Sequence, residues 1–393
     1  MIRIPIIIIA LYWSIVCSFA QTLSDSILYQ PRKLKVEEVN LVSSYYHQDG
    51  NNAAVTGGVG SEKLSDFATT LDIRLSKPDA RRRVNTYTIE IGVDAYSSAS
   101  SDKIDPSTIS SASYSDKRIY PSLSWSRAND KKGTTVGATA SLSTEFDYFS
   151  VGAGVNAYKD SKDKTRQVGV KLQTYQDVVT LIYPIEQRGG RDNGGTEPRK
   201  TYSATLSLSQ IINQRLQVLL LTDLAYQNGL LSLPFNRVYF SDNSVGIERL
   251  PSSRLKIPVS LRANYFLGDR TILRTFYRFY KDDWGLAAHT AELETVVKLT
   301  PFISLSPFYR YYSQTGIDYF APYAAHNKQD AYYSSDYDLS KFDSHFFGSG
   351  FRILSPDGLL GIKTFNTFEI RYGHYSRQTG LTSNIVTMHL KFK

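Results

Sequence analysis

Apolar and polar residues alternate with period two through almost the whole chain, a pattern few folds can use at such length. In "IVTMHLKFK", Val386, Met388, Leu390 and Phe392 fall on one side, and Thr387, His389 and Lys391 on the other. In "TYSATLSLSQ", Tyr202, Ala204, Leu206 and Leu208 alternate with Ser203, Thr205, Ser207 and Ser209. "HTAELETVVKL" sets Ala291, Leu293, Thr295, Val297 and Leu299 against Thr290, Glu292, Glu294 and Lys298. Successive side chains of a strand point to opposite faces, so each segment reads as a strand with one apolar and one polar face. About sixteen such segments follow one another, each roughly ten residues long, the length a tilted strand needs to cross a bilayer. They begin near Val36, Phe67, Thr86, Arg118, Thr134, Phe149, Gln167, Thr201, Leu216, Leu255, Thr271, His289, Ile303, Ser344, Thr364 and Leu381. A count of about fourteen to eighteen is compatible with the same pattern.

The links between segments alternate in length. Short turns ("NDKKG", "IINQ", "LGDR", "LTPF") are interleaved with long connections at His47–Asp66, Ser98–Asp116, Tyr183–Lys200, Asn228–Ser253 and Gln314–Asp343. This places every long link at one end, as in outer-membrane barrels, whose even strand number leaves both termini in the periplasm. A soluble sandwich would alternate too, but has no reason to sort its loops by length and would spread aromatics through its core. Here Tyr45, Tyr46, Tyr96, Tyr148, Phe149, Tyr175, Tyr226, Tyr280, Tyr311, Tyr312 and Tyr375 gather near the long-loop ends. A tyrosine ring suits lipid while its hydroxyl suits water. The expected fold is all-β: a transmembrane antiparallel up-and-down barrel over residues 36–393, with short periplasmic turns and long outer loops.

"MIRIPIIIIALYWSIVCSFA" carries one charge, Arg3, then an apolar run too short to span a bilayer, and closes on small residues. Residues 1–20 read as a cleaved signal peptide, residues 21–35 as a short periplasmic lead, and the destination as the outer membrane of a Gram-negative cell. Cys17 is the sole cysteine. The mature chain therefore lacks disulfides, thiol catalysis and cysteine metal sites. A formal charge of +8 is scattered among acids rather than massed on one segment, which argues against nucleic acid. Mean hydropathy of −0.28 is what alternation produces on a strand, so it does not separate a soluble from a membrane chain.

The blocks "KVEEVNLVSSYYHQDGNNAAVTGGVG", "DKRIYPSLSW", "QNGLLSLPFNRVYF", "FYRFYKDDWGLAAHTAELE", "PFYRYYSQTGIDYFAPY", "YYSSDYDLSKFDSH" and "RYGHYSRQTGLTSNIVTMHLKFK" resemble a domain-of-unknown-function family of outer-membrane β-barrels. The resemblance covers nearly all of the mature chain. It implies a barrel and a location but no substrate, and it points to a flavin-transfer or thioredoxin-like periplasmic partner. Outer-membrane lipid and the barrel-assembly machinery are the other partners expected. The machinery commonly reads a terminal aromatic residue; here Phe392 is penultimate.

Parity directs Arg274, Arg278, Glu292, Glu294 and Arg310 to the polar face of three consecutive strands. Turns centred near Trp284–Gly285 and Thr300–Pro301 would set Glu292 opposite both Arg278 and Arg310. Such a cluster either stiffens a water-filled wall or selects permeating solutes. Asp330, Asp336, Asp338 and Asp343 are clustered carboxylates that could take calcium, although a solvated outer loop fits them better. Asp343 with His345, and His289 with Asp282 and Asp283, are the only hints of an acid–base dyad. Lys77, Arg81, Arg82 and Arg83 form a basic periplasmic turn, open to anionic lipid or a partner. No catalytic residue, metal site or cofactor is assigned. The expected function is a porin-like channel for small solutes. The alternative is a non-conducting scaffold for a periplasmic redox system, and an outer-rim hydrolase is a minor third.

Overall fold

The computed structural model describes residues 33–98, 115–188 and 194–393. The first segments of its wall are β1 (Lys35–Asp49), β2 (Leu64–Pro78), β3 (Val84–Ser98), β4 (Ser115–Asn129), β5 (Thr134–Thr144) and β6 (Tyr148–Asp160). Next come β7 (Arg166–Thr180), β8 (Thr196–Asn213) and β9 (Leu216–Gly229). Two short strands, β10 (Arg237–Tyr239) and β11 (Val245–Ile247), pair with each other outside the wall. The wall resumes with β12 (Ser253–Leu267), β13 (Thr271–Asp282), β14 (Ala287–Lys298), β15 (Ile303–Gln314), β16 (Phe342–Leu354), β17 (Phe365–Arg377) and β18 (Thr382–Phe392).

These sixteen wall strands form one closed antiparallel ring, sealed by pairing of β1 with β18 from Val39↔Phe392 to Asp49↔Thr382. Closure leaves no free edge, so every wall strand finds backbone partners on both sides without water. Leu206, Leu172, Val155, Leu293 and Tyr309 lie on the outside, each about half exposed. Their strand neighbours, Ser207, Lys171, Asn156, Glu292 and Arg310, point into the lumen. The mean hydropathy of the chain is low because half of each strand faces water. The barrel spans a membrane. Residues 1–20, read above as a signal peptide, and all but the last three residues of the expected lead lie outside the described residues.

Turns at the end that holds both termini are mostly brief, such as residues 130–133 and 268–270. The link at 355–364 is a longer exception there, and residues 145–147 form a short turn among the long loops at the other end. The expected tyrosine belt divides in two. Tyr45, Phe149, Tyr226 and Tyr311 face outward, each more than a third exposed. Tyr46, Tyr312 and Tyr375 line a luminal cavity, and Tyr148 and Tyr175 line another. Consecutive tyrosines on a strand take opposite faces, so a run such as Tyr45-Tyr46 cannot belong wholly to lipid.

Among the described residues, the outer loops contain a packed core. Val238, Ser334 and Ser335 are fully buried, and Trp284, Leu286, Leu250 and Ile317 pack into a small core above the wall. Gly57, at φ +81°, sits so close to the Tyr239 ring that a Cβ would fall 2.5 Å from it. Leu206→Arg, on the lipid face, is expected to destabilise the barrel by about 2–4 kcal/mol, whereas Ser207→Arg, facing water, should be tolerated. Urea unfolding of vesicle-refolded protein measures the difference.

Candidate functional site

The polar face of β12–β17 carries a wall of arginines. Register places Glu292 opposite Arg310, and the Arg310 Nε donates to Glu292 Oε2 at 2.6 Å. Arg278, by contrast, faces Thr290, and Glu292 faces Phe276. The turn arithmetic is off by two for a physical reason. Asp282 Oδ1 accepts from the backbone N–H groups of Trp284 and Leu286, at 3.0 and 3.1 Å, and Gly285 takes φ +89°. That turn is centred on Trp284 and pairs Lys281 with Ala287.

The glutamate held between two arginines is Glu294. Arg274 donates to its Oε2 at 3.0 Å and Arg371, three strands away on β17, donates to its Oε1 at 2.8 Å. Arg371 reaches it across Gly350, where an added Cβ would meet the Arg371 Cγ at 3.1 Å, and over the Phe308 ring at 5.2 Å. The alternating glycines of "FGSGF" are the sequence signal for this long reach, and parity reasoning confined to neighbouring hairpins misses it.

Arg262 and Arg278 are different. Among the described residues neither has an ion-pair partner; Arg262 lies 5.5 Å from the Phe276 ring centre. Both line a luminal cavity of about 780 Å³ together with Arg310, Arg377, Phe276, Tyr312 and Phe346, and with the carboxylates Glu62, Glu292 and Asp338. Carboxylates collect on the opposite wall: Asp66 and Asp72 on β2, Glu90 and Asp94 on β3. β3 is eight strands from β13 around the sixteen-strand ring, so acid and arginine walls face each other across the lumen.

The cavity is roofed by the loop cap. Arg377 bonds Asp338 and stands 3.9 Å from Glu62. Arg237 bonds Glu186 and donates to the Val55 carbonyl at 2.6 Å, joining three outer loops. Glu248 accepts from Ser334 Oγ at 2.6 Å and from the Leu233 N–H at 2.6 Å. At the rim, Arg254 holds Asp282, whose side chain is fully buried, with Nε–Oδ2 of 2.8 Å.

The four aspartates that could form a weak calcium loop, for which a solvated outer loop is the better reading of the sequence, do not converge. Asp343 projects from the outer face of β16, Asp338 turns inward to Arg377, and Asp330 accepts from the Asn327 N–H. Asp336 accepts from the Asp338 N–H at 2.9 Å as part of a short helical turn. Its segment is packed into the cap and not solvated. Among the described residues, no hydrogen bond joins either candidate dyad. His289 faces outward and bonds the Tyr277 hydroxyl at 2.7 Å, while Asp282 faces inward. His345 bonds the Tyr309 hydroxyl at 2.7 Å.

A family model described as "Protein of unknown function (DUF3570)" matches residues 77–353. The chain belongs to the DUF3570 family. A search of curated proteins finds no match. Among solved structures, this DUF3570 barrel is similar to a bacterial polysaccharide outer membrane secretin, with TM-score 0.44 and 10% identity over 90% of this chain and 98% of the other. OccK1 (OpdK) of Pseudomonas aeruginosa gives TM-score 0.41 and 7% identity over 90% and 97%. A BenF-like porin from Pseudomonas fluorescens gives 0.40 and 10% over 91% and 98%. No residue role is carried across from them.

Two predictions concern the cap. Burial, and then the nearby Asp338 carboxylate, push Glu62 up to about 7; Asp336 and Glu248 are also raised, chiefly by burial. Folded-state values above the unfolded ones mean a contribution that is complete at about pH 4 and lost as pH rises through neutrality. Loop proteolysis should therefore be faster at pH 8.5 than at pH 6 (on the order of the Glu62 transition), and Glu62→Gln should flatten the difference. Arg254→Ala leaves a buried carboxylate without its cation, at a cost of about 3–5 kcal/mol. Limited proteolysis should then open the 283–286 turn first.

Proposed function

We propose that this barrel is an outer-membrane diffusion channel for small solutes, with a preference for anions. The observation that carries this reading is the pair of guanidinium groups, Arg262 and Arg278, which line the luminal cavity and form no ion pair among the described residues, while the cavity's carboxylates, Glu62, Glu292 and Asp338, stand beside Arg377 and Arg310. An anion passing there meets two guanidinium groups that no carboxylate bonds. Arg310, tied to Glu292, contributes shape more than net charge. Phe276, Tyr312 and Phe346 add apolar contact for the uncharged part of a solute. Placement in the outer membrane is supported by the closed barrel and its apolar exterior, since barrels of this kind cross that membrane.

One observation favours the second reading, a non-conducting scaffold serving a periplasmic redox partner: the outer loops pack into a cap with its own buried core. Planar-bilayer recording separates the two. Steady openings with a reversal potential favouring chloride in a potassium chloride gradient are the expected result. Arg262→Ala/Arg278→Ala should move that potential toward potassium by a factor of about 3–10 in permeability ratio, the scale of losing about 1 kcal/mol of anion attraction. Silence from a correctly folded barrel would leave the scaffold, and an unchanged potential in the double variant would remove these arginines from selectivity.

A further inference from the structure

We propose that Asp116, Glu145 and Asp147 form a calcium site on the outer rim, clasping β4 to the turn between β5 and β6. Each of the three offers a carboxylate oxygen, and these atoms lie within 4.8 Å of one another. Oxygens around one calcium ion, at 2.3–2.6 Å from it, stand no more than about 5 Å apart, whereas those around magnesium stand within about 4.2 Å.

Three carboxylates this close repel each other and need a positive charge. Among the described residues, Arg118 brings a guanidinium to Glu145. Arg118 Nε lies 3.4 Å from Glu145 Oε1 and donates to Ser143 Oγ at 2.9 Å. Asp116 gives the independent sign of a ligand. It is 7% exposed, its Oδ1 accepts from the Lys117 N–H at 2.6 Å, and its Oδ2 is buried with no hydrogen-bond partner. A carboxylate oxygen taken from water without a donor costs on the order of a few kcal/mol, and a coordinated cation removes that cost.

The remaining geometry fits a site rather than a chance crowd. Asp147 is buried at 6% exposure, and its backbone carbonyl accepts from the Thr180 N–H at 2.8 Å, which fixes the turn. Tyr96, opposite Asp116 in the β3–β4 register, donates its hydroxyl to Glu145 Oε2 at 2.9 Å and orients that carboxylate. Burial, with Asp147 and Asp116 nearby, raises the Glu145 carboxyl above its ordinary value. This site is distinct from the aspartates of the 330–343 loop, which point in different directions.

The test uses the full barrel in detergent, stripped with a chelator. Calorimetric titration with calcium chloride should show one ion per chain, with a Kd of about 10⁻⁴–10⁻³ M, the range of sites exposed to an extracellular medium. Terbium, bound in place of calcium, should luminesce through the neighbouring tyrosines. Asp116→Asn and Asp147→Asn should each weaken calcium by at least about tenfold, while Asp163→Asn, in an exposed turn at the opposite end, should change nothing. Tyr96→Phe keeps all three carboxylates, so it should retain calcium while losing much of the terbium emission. Folding of each variant is checked by the heat-dependent gel shift of closed barrels. Absence of saturable binding below 10 mM (about ten times the weakest expected Kd) would overturn the proposal. Wild-type affinity in folded Asp116→Asn/Asp147→Asn would do the same, as would undiminished terbium emission in Tyr96→Phe.

Discussion

The constraint on which everything else rests is the backbone hydrogen bond in a medium without water. A lone strand in lipid would leave its N–H and C=O groups bare, at several kcal/mol each, so the sheet has to close on itself. Closure fixes each residue's face by parity alone. From that one rule come the aliphatic exterior, the polar lumen, and the separation of neighbours such as Arg278 and Phe279. It also explains how a chain with low mean hydropathy can be a membrane protein.

Within the lumen, the register decides which charges cancel. Glu292 neutralises Arg310 because hairpin pairing puts them side by side, and Glu294 is shared by Arg274 and Arg371 because glycines clear a path over β16. Arg262 and Arg278, whose paired positions are Phe276 and Thr290, form no ion pair among the described residues. The acid wall stands half a ring away, too far to quench them by contact. The loop cap lies over that space, tied down by Arg377 to Asp338 and by Arg237 to Glu186.

The wall was legible in the sequence almost strand by strand. Each of the sixteen starting points, from Val36 to Leu381, falls within a few residues of an observed strand. Period two is a local signal and survives being read one segment at a time. Register is less local. The Arg278–Glu292 pairing failed because Asp282 and Gly285 set the centre of a turn, a matter of hydrogen bonds and not of hydropathy. Arg371 joined the cluster from β17, beyond the reach of any hairpin sum. The cap was the least visible part. Its short strands β10 and β11 are only three residues each, and its core draws on loops separated by more than a hundred positions. The carboxylates of Asp116, Glu145 and Asp147 come from two separated segments and form no recognisable spacing.

The seam between β1 and β18 bears on how the molecule is made. Glu38 and Lys391, bonded across it, are 353 residues apart in sequence, and Phe392 stacks on Phe365 beside Val39. Every other strand can find a partner next to it in sequence, but the first strand waits for the last. Synthesis from the N-terminus therefore cannot close the ring until the final dozen residues have been delivered. Until then both edges are open, and unpaired edges recruit other chains. The penultimate aromatic residue is thus part of the latch, and truncating a few C-terminal residues would leave a nearly complete sheet with no way to shut.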